Sequence, residues 1–136
     1  MVEVIDVILK LMAIRGFKPD SEVLRWPVDL ALHKNPGITG DTMIPLVIVI
    51  PLTMVVIGCL VRFAWIKRKV NVMQAAGASV VVIGAIGNLI DRITHGFTTD
   101  YLIFFRLSAI NLSDILIVAG AIILIGYNKG NPQSTK

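Results

Sequence analysis

The chain has 136 residues, 55% of them apolar and 16% charged, with a mean hydropathy of +0.79. Soluble domains average about 45–50% apolar and about 25% charged residues, so the composition excludes an ordinary soluble domain and also a disordered chain. The length suits one domain, 1–136, and the formal charge of +4 is uneven: no acid lies between residues 42 and 90, and none follows Asp114.

Residues 1–14 are apolar apart from Glu3, Asp6 and Lys10. At ~1.5 Å per residue they cover ~21 Å, short of a ~30 Å hydrocarbon core. With no basic start and no small-residue cleavage site, they read as a shortened first membrane helix rather than a signal peptide. A long connection follows, about residues 15–42. Within it Trp26-Pro27 suits an interfacial belt, and residues 28–33 alternate loosely as a strand does. Residues 42–61 carry no charge for 20 positions and residues 70–90 none for 21. Each predicts a membrane-spanning helix, because a lone segment in lipid must bond its own backbone groups. Cys59, the only cysteine, excludes an internal disulfide and a cysteine metal cluster, and is expected to pack as a small apolar side chain. A second long connection, about 92–112, contains a β-forming stretch at 98–105 and the pair Phe104-Phe105. Residues 115–128 are uncharged; extended back through 111–114, they make a fourth span.

The residues Ile66-Lys67-Arg68-Lys69 and the basic tail with Lys129 and Lys136 belong in the cytoplasm by the positive-inside rule. Positive charges that flank apolar runs point to a membrane and not to nucleic acid. The expected fold is an all-α membrane protein with four transmembrane helices, the first one shortened. Its small β and loop elements lie on the outer face, and both termini are cytoplasmic.

Polar residues at the ends of apolar helices are costly and need a reason. Gly77, Gly84, Asn88 and Asp91 stand at offsets of 0, 7, 11 and 14. At 100° per residue they share one helix face. The two glycines read as a packing seam, and Asn88, Asp91 and Arg92 read first as a polar brace, with Arg92 neutralising Asp91. Asp100 is either an exposed turn acid or half of a pair. Asp114 is either an N-cap at the fourth helix or the other half. Two carboxyls within hydrogen-bond reach share a proton. The ionised one can take a proton from water while the protonated one polarises a scissile carbonyl. His33 and His95 lie in separate connections without metal-ligand spacing, so no metal site is expected. No GxSxG, Walker or GxGxxG segment occurs.

The stretch Gly87-Asn88-Leu89-Ile90-Asp91-Arg92-Ile93-Thr94-His95-Gly96-Phe97-Thr98-Thr99-Asp100 resembles the GNxxDRxxxGxxxD block of signal peptidase II. Asn111-Leu112-Ser113-Asp114 resembles that family's NxAD block, with Ser113 in place of Ala. Asn35-Pro36-Gly37 resembles its N-x-G segment, and Asp6 to Lys10 its D-x-x-x-K. The chain departs from the family at Ile38-Thr39-Gly40, at Thr98-Thr99, at Ile110 and in the five residues before Asp6. The resemblance implies a monomeric aspartic endopeptidase of the bacterial cytoplasmic (inner) membrane, without cofactor. It would act on lipid-modified prolipoproteins among membrane lipids. Asp100 and Asp114 match the catalytic pair, and Asn35, Gly37, Asn88, Asp91, Arg92 and Asn111 the surrounding polar residues. Asp6 and Lys10 read as a structural helical ion pair. Two alternatives stay open. One is a non-catalytic polytopic subunit whose Asn/Asp/Arg cluster binds an ion or braces helices; the other is a degenerate peptidase that binds without cutting.

Overall fold

The computed structural model describes residues 2–19, 28–36, 44–105 and 108–127. Helix α1 spans Val2–Gly16, strand β1 Val28–Asn35, helix α2 Leu46–Lys67 and helix α3 Val72–His95. Strand β2 spans Thr98–Phe104, strand β3 Ser108–Ile110 and helix α4 Leu112–Gly126. The expected elements are therefore present. Trp26-Pro27, Gly37 to Gly40, Lys129 and Lys136 lie outside the described residues.

The two uncharged runs became α2 and α3, of 22 and 24 residues, both long and apolar enough to cross a membrane. They differ in burial. In the most apolar window of α2 only 6% of residues are buried, against 44% in α3. Val47, Val55 and Trp65 on α2 are exposed. In water that surface would cost about 25 cal/mol per Å², so it is a surface made for lipid. Cys59 shares it: it is exposed on α2, off the side that packs against α3, and so is not packed as expected.

Helix α3 is the centre of the molecule, packed against α2 on one side and α4 on the other. Lipid tails are as apolar as leucine, so helices in lipid associate through close packing. The predicted seam does this. A Cβ built on Gly77 would stand 2.9 Å from Gly120 O, and one on Gly120 would stand 2.7 Å from Gly77 O. A Cβ on Gly84 would collide with Ser113 O. The backbones of α3 and α4 thus meet where side chains would hold them apart.

Charge does not end α3. The uncharged run stops at Ile90, yet the helix continues through Asp91 and Arg92 to His95, because both charged side chains are buried against neighbours. Gly96 ends it at φ 78°, a left-handed conformation that costs glycine nothing. The chain then reverses directly into β2. Strands β1, β2 and β3 form one antiparallel sheet in that order. His33 pairs with Asp100 and Asn35 with Thr98, and an irregularity lies between Leu30 and His33. Leu32 N–H donates to Lys18 O at 2.9 Å, which ties the chain leaving α1 to the sheet.

The seam makes a testable claim. Gly84→Ala is expected to destabilise the protein by about 1–3 kcal/mol through overpacking, read by thermal unfolding in detergent. Gly58→Ala, inside α2 where a Cβ meets nothing within 4 Å, is expected to raise stability by about 0.5–1 kcal/mol through helix propensity.

Candidate active site

The site forms where the end of α3, the sheet and the start of α4 converge. Asn111 is the N-cap of α4. Its Oδ1 accepts from the Asp114 N–H at 3.0 Å, and its own N–H donates to Asp114 Oδ2 at 3.1 Å. This is a reciprocal capping box, so Asp114 is the third residue of the helix and not its cap. The other end of the same amide, Nδ2, donates to Asp100 Oδ1 at 2.6 Å. One residue therefore holds both carboxyl groups, Asp100 through its side chain and Asp114 through its backbone N–H. Asn35 Nδ2 donates to Asp100 Oδ2 at 3.2 Å, from two residues along the paired strand. Asn88 Nδ2 donates to Asp114 Oδ1 at 2.7 Å. The Arg92 guanidinium lies within electrostatic reach of Asp114, Asp100 and Asp91.

Asp100 is only 1% exposed, so it is not a turn acid on the surface. Burial and the nearby Asp114 charge push its carboxyl from the ordinary 3.8 up to about 7. The amide donors of Asn35 and Asn111 and the His33 ring oppose that rise without cancelling it. Thr98 shares the Asp100 face of β2. Its Oγ1 is buried and, among the described residues, has no hydrogen-bond partner.

Asp91 does not belong to this pair. Its Oδ2 accepts the Thr99 N–H, its Oδ1 accepts the Thr99 hydroxyl at 3.3 Å, and His95 Nδ1 lies 2.7 Å from Oδ1. Asp91 thereby fastens the first residues of β2 to the end of α3, which sets where Asp100 stands. Its partners are Thr99, His95 and Lys10, a wider set than the local neutralisation by Arg92 that was expected.

Behind the pair lies a second knot, around Asp6. Lys10 Nζ is 3.0 Å from Asp6 Oδ2 and 3.6 Å from Asp91 Oδ2, and donates to Asn88 Oδ1 at 3.2 Å. Asp6 also accepts from the Tyr101 hydroxyl at 2.9 Å and the Ser113 hydroxyl at 2.7 Å. The Tyr101 oxygen in turn accepts the Leu112 N–H at 3.0 Å, a first-turn donor of α4. Burial beside the Asp6 charge raises the Tyr101 hydroxyl above its ordinary value, which keeps it a donor. Sequence reading passed over Tyr101, Thr99 and the Ser113 hydroxyl. Tyr101 and Asp6 are 95 positions apart, and no periodicity links them.

A family sequence profile described as "Signal peptidase (SPase) II" matches residues 1–128. The chain belongs to the signal peptidase II family. It is similar to lipoprotein signal peptidases of Brucella ovis and Brucella melitensis, 36% identical over 80 residues. That match covers 56% of this chain and spans half the length of those relatives. The fold is similar to that of a bacterial membrane enzyme solved by the in meso method at 2.3 Å resolution. The TM-score is 0.85 at 22% identity, over 99% of this chain and 87% of that one. A second such enzyme, at 1.9 Å resolution, gives 0.77 at 23% identity, over 98% and 89%. Membership in this family, together with its long apolar helices, makes the chain a membrane protein. All the residues quoted for the signal peptidase II resemblance fall within the matched span. Asn35, Asn88, Arg92, Asp100, Asn111 and Asp114 surround one point, Asp91, Asp6 and Lys10 stand behind it, and Gly37 lies outside the described residues.

Among the described residues Asp6 has three polar partners, and Ser113→Ala removes one of them. It is expected to lower stability by about 1 kcal/mol and leave cleavage of a lipidated peptide within about twofold, checked by thermal unfolding and turnover on the same sample.

Proposed function

We propose that this chain is an aspartic endopeptidase that removes the signal peptide from diacylglyceryl-modified prolipoproteins at the outer face of the bacterial cytoplasmic membrane. The observation that carries the reading is the Asn111 amide bonded to Asp100 and capping Asp114 at once. A non-catalytic subunit that only braces helices is not favoured by membership in a peptidase family.

The mechanism follows from the two environments. Each carboxyl receives donors on both oxygens, Asp114 from Asn88 and Asn111 and Asp100 from Asn35 and Asn111, so what separates them is the deeper burial of Asp100. Asp100, with its carboxyl near 7, is the group that carries the shared proton. Asp114 takes a proton from a water molecule, and the water oxygen attacks the scissile carbonyl carbon. The Asp100 proton passes to the carbonyl oxygen, giving a neutral gem-diol. On collapse Asp100 takes back a hydroxyl proton, the C–N bond breaks, and the proton on Asp114 passes to the leaving nitrogen. Both carboxyls return to their starting states. The Thr98 hydroxyl, without a partner among the described residues, offers a further polar contact beside Asp100 for the substrate backbone.

The membrane placement supports the reading. From Val72 to Asp91 along α3 is ~29 Å at ~1.5 Å per residue, about one hydrocarbon core. The basic turn Lys67-Arg68-Lys69 lies at one end of that helix and the acidic pair at the other. With the basic turn in the cytoplasm, the pair sits at the outer surface beside the sheet. Helices α1 and α4 complete a four-span, single-domain protein with both termini inside, acting as a monomer.

Asp100→Asn and Asp114→Asn are each expected to reduce cleavage of a lipidated prolipoprotein by about 10³-fold or more while leaving the protein inserted. Normal processing by either in a peptidase-null cell sinks the reading. EDTA is expected to leave turnover unchanged; loss in EDTA with recovery in zinc overturns it.

The raised Asp100 carboxyl sets two pH effects. Cleavage falls as pH rises through about 7 and the proton leaves Asp100. For stability the sign is that of an acid held protonated. Ionisation costs folding free energy, the loss growing from about pH 4 to about pH 7 and then levelling. Asp100→Asn, which cannot ionise, is therefore expected to melt higher than the unmodified protein at pH 8 and to lose that advantage at pH 4.

A further inference from the structure

Lys10 is 4% exposed, one turn beyond Asp6 on α1. Its ammonium has three hydrogens and no lone pair, so any group facing it must accept. Asn88 faces it through Oδ1 at 3.2 Å and faces Asp114 through Nδ2 at 2.7 Å. A carboxamide has a donor end and an acceptor end of nearly equal shape, told apart only by their partners. Turning Asn88 over would set N–H against N–H on the Lys10 side.

We propose that Lys10 is a positioning residue for the acidic pair, locking the Asn88 amide so that it presents only N–H to Asp114 throughout the reaction. The inference rests on the Asp100–Asp114 peptidase reading. The lock matters after water attack, when Asp114 holds a proton and has become a donor. A free amide would turn and accept from it, holding the proton there. The locked amide offers no lone pair, so the proton moves on to the departing nitrogen. The Asn111 amide is fixed too, by the Asp114 N–H on its Oδ1 at 3.0 Å, but the N–H it thereby presents faces Asp100. Toward the Asp114 carboxyl Asn111 donates its backbone N–H, which cannot turn over, so Asn88 is the amide there that needs a lock, and the ammonium from α1 supplies it.

The charged and titratable groups around Asp114 are Asp100 and Tyr101 on β2, Arg92 and Asp91 on α3, Lys10 and Asp6 on α1, and His33 on β1. Only Lys10 is changed in the test. The full chain is reconstituted in lipid and given a synthetic diacylglyceryl-modified prolipoprotein peptide. Lys10→Met is expected to lower kcat about tenfold with KM within about twofold, and to move the acidic limb of the pH profile upward by about half a unit. Lys10→Arg, also donor-only, is expected to restore more than half of the lost kcat. Lys10→Met leaves Asp6 and Asp91 facing an apolar chain and can unfold the protein. Lys10→Gln, which can turn either end to Asn88, then serves in its place with the same expected shift. A lower melting temperature with kcat and the pH profile unmoved in both variants overturns the proposal and leaves Lys10 an ion-pair brace. If Asp100→Asn and Asp114→Asn cleave normally, the peptidase reading itself has failed. If they are inactive while Lys10→Met and Lys10→Gln keep kcat and profile, only the role of Lys10 has.

Discussion

The Asn111 side chain is the one group that holds both Asp100 and the first turn of α4. Its position asks for three things together: an oxygen for the Asp114 N–H, a hydrogen for Asp100, and a backbone free to start a helix. Aspartate would supply the cap but bring a third carboxylate against Asp100. Serine would cap but is too short to reach a residue on a neighbouring strand as well. Asparagine meets all three without adding charge. Because the cap and the contact with Asp100 use opposite ends of one amide, the start of α4 and the spacing of the two acids cannot be set separately.

That constraint works only if β2 and α4 are held in register with α3, and lipid gives no hydrophobic force to do it. Two devices serve instead. The glycines at 77, 84 and 120 bring the α3 and α4 backbones together along the apolar part of the molecule. At the polar end, Asp6 reaches β2 through Tyr101 and α4 through Ser113, and Lys10 reaches α3 through Asn88 and Asp91. The short helix α1 thus contributes little apolar packing but a large share of the buried hydrogen bonds. This is a reason for so polar a pair as Asp6 and Lys10 to sit in an apolar segment.

The parts legible in the sequence were those governed by local pattern. Twenty uncharged residues need a span whatever else the chain contains, and glycines at helical spacing imply a close neighbour. Alternation at 28–33 and β-branched residues at 98–105 suffice for a sheet. Less legible was anything decided by a partner far along the chain. Asp91 and Arg92 read as a brace at the end of α3 because each was paired only with its neighbour; buried partners from other elements let the helix run four residues past Asp91. Asp114 looked like a cap because aspartate often is one, whereas the capping residue is three positions earlier. Cys59 was expected to pack as a small apolar side chain, but it lies off the side of α2 that faces α3. The residues quoted for the signal peptidase II resemblance mark the positions of the site, but not that Tyr101 supports the first turn of α4.

The charges of the buried cluster bear on how the proposed pair is protonated. Four carboxyl groups, Asp6, Asp91, Asp100 and Asp114, stand among two permanent cations, Lys10 and Arg92. With all four ionised, two negative charges would lack a counterpart in a region of low polarity, where uncompensated charge is most costly. One of them, on Asp91, faces His95 at the more open end of the site. The other falls within the pair, where a proton on Asp100 removes it. The asparagines fit the same logic. They donate to the carboxylates without adding positive charge, so the pull that Asn35 and Asn111 exert on the Asp100 proton falls short of the opposing effect of burial and of the Asp114 charge. A pair that must begin each turnover with one proton, in surroundings that cannot lend charge from solvent, is best surrounded by neutral donors.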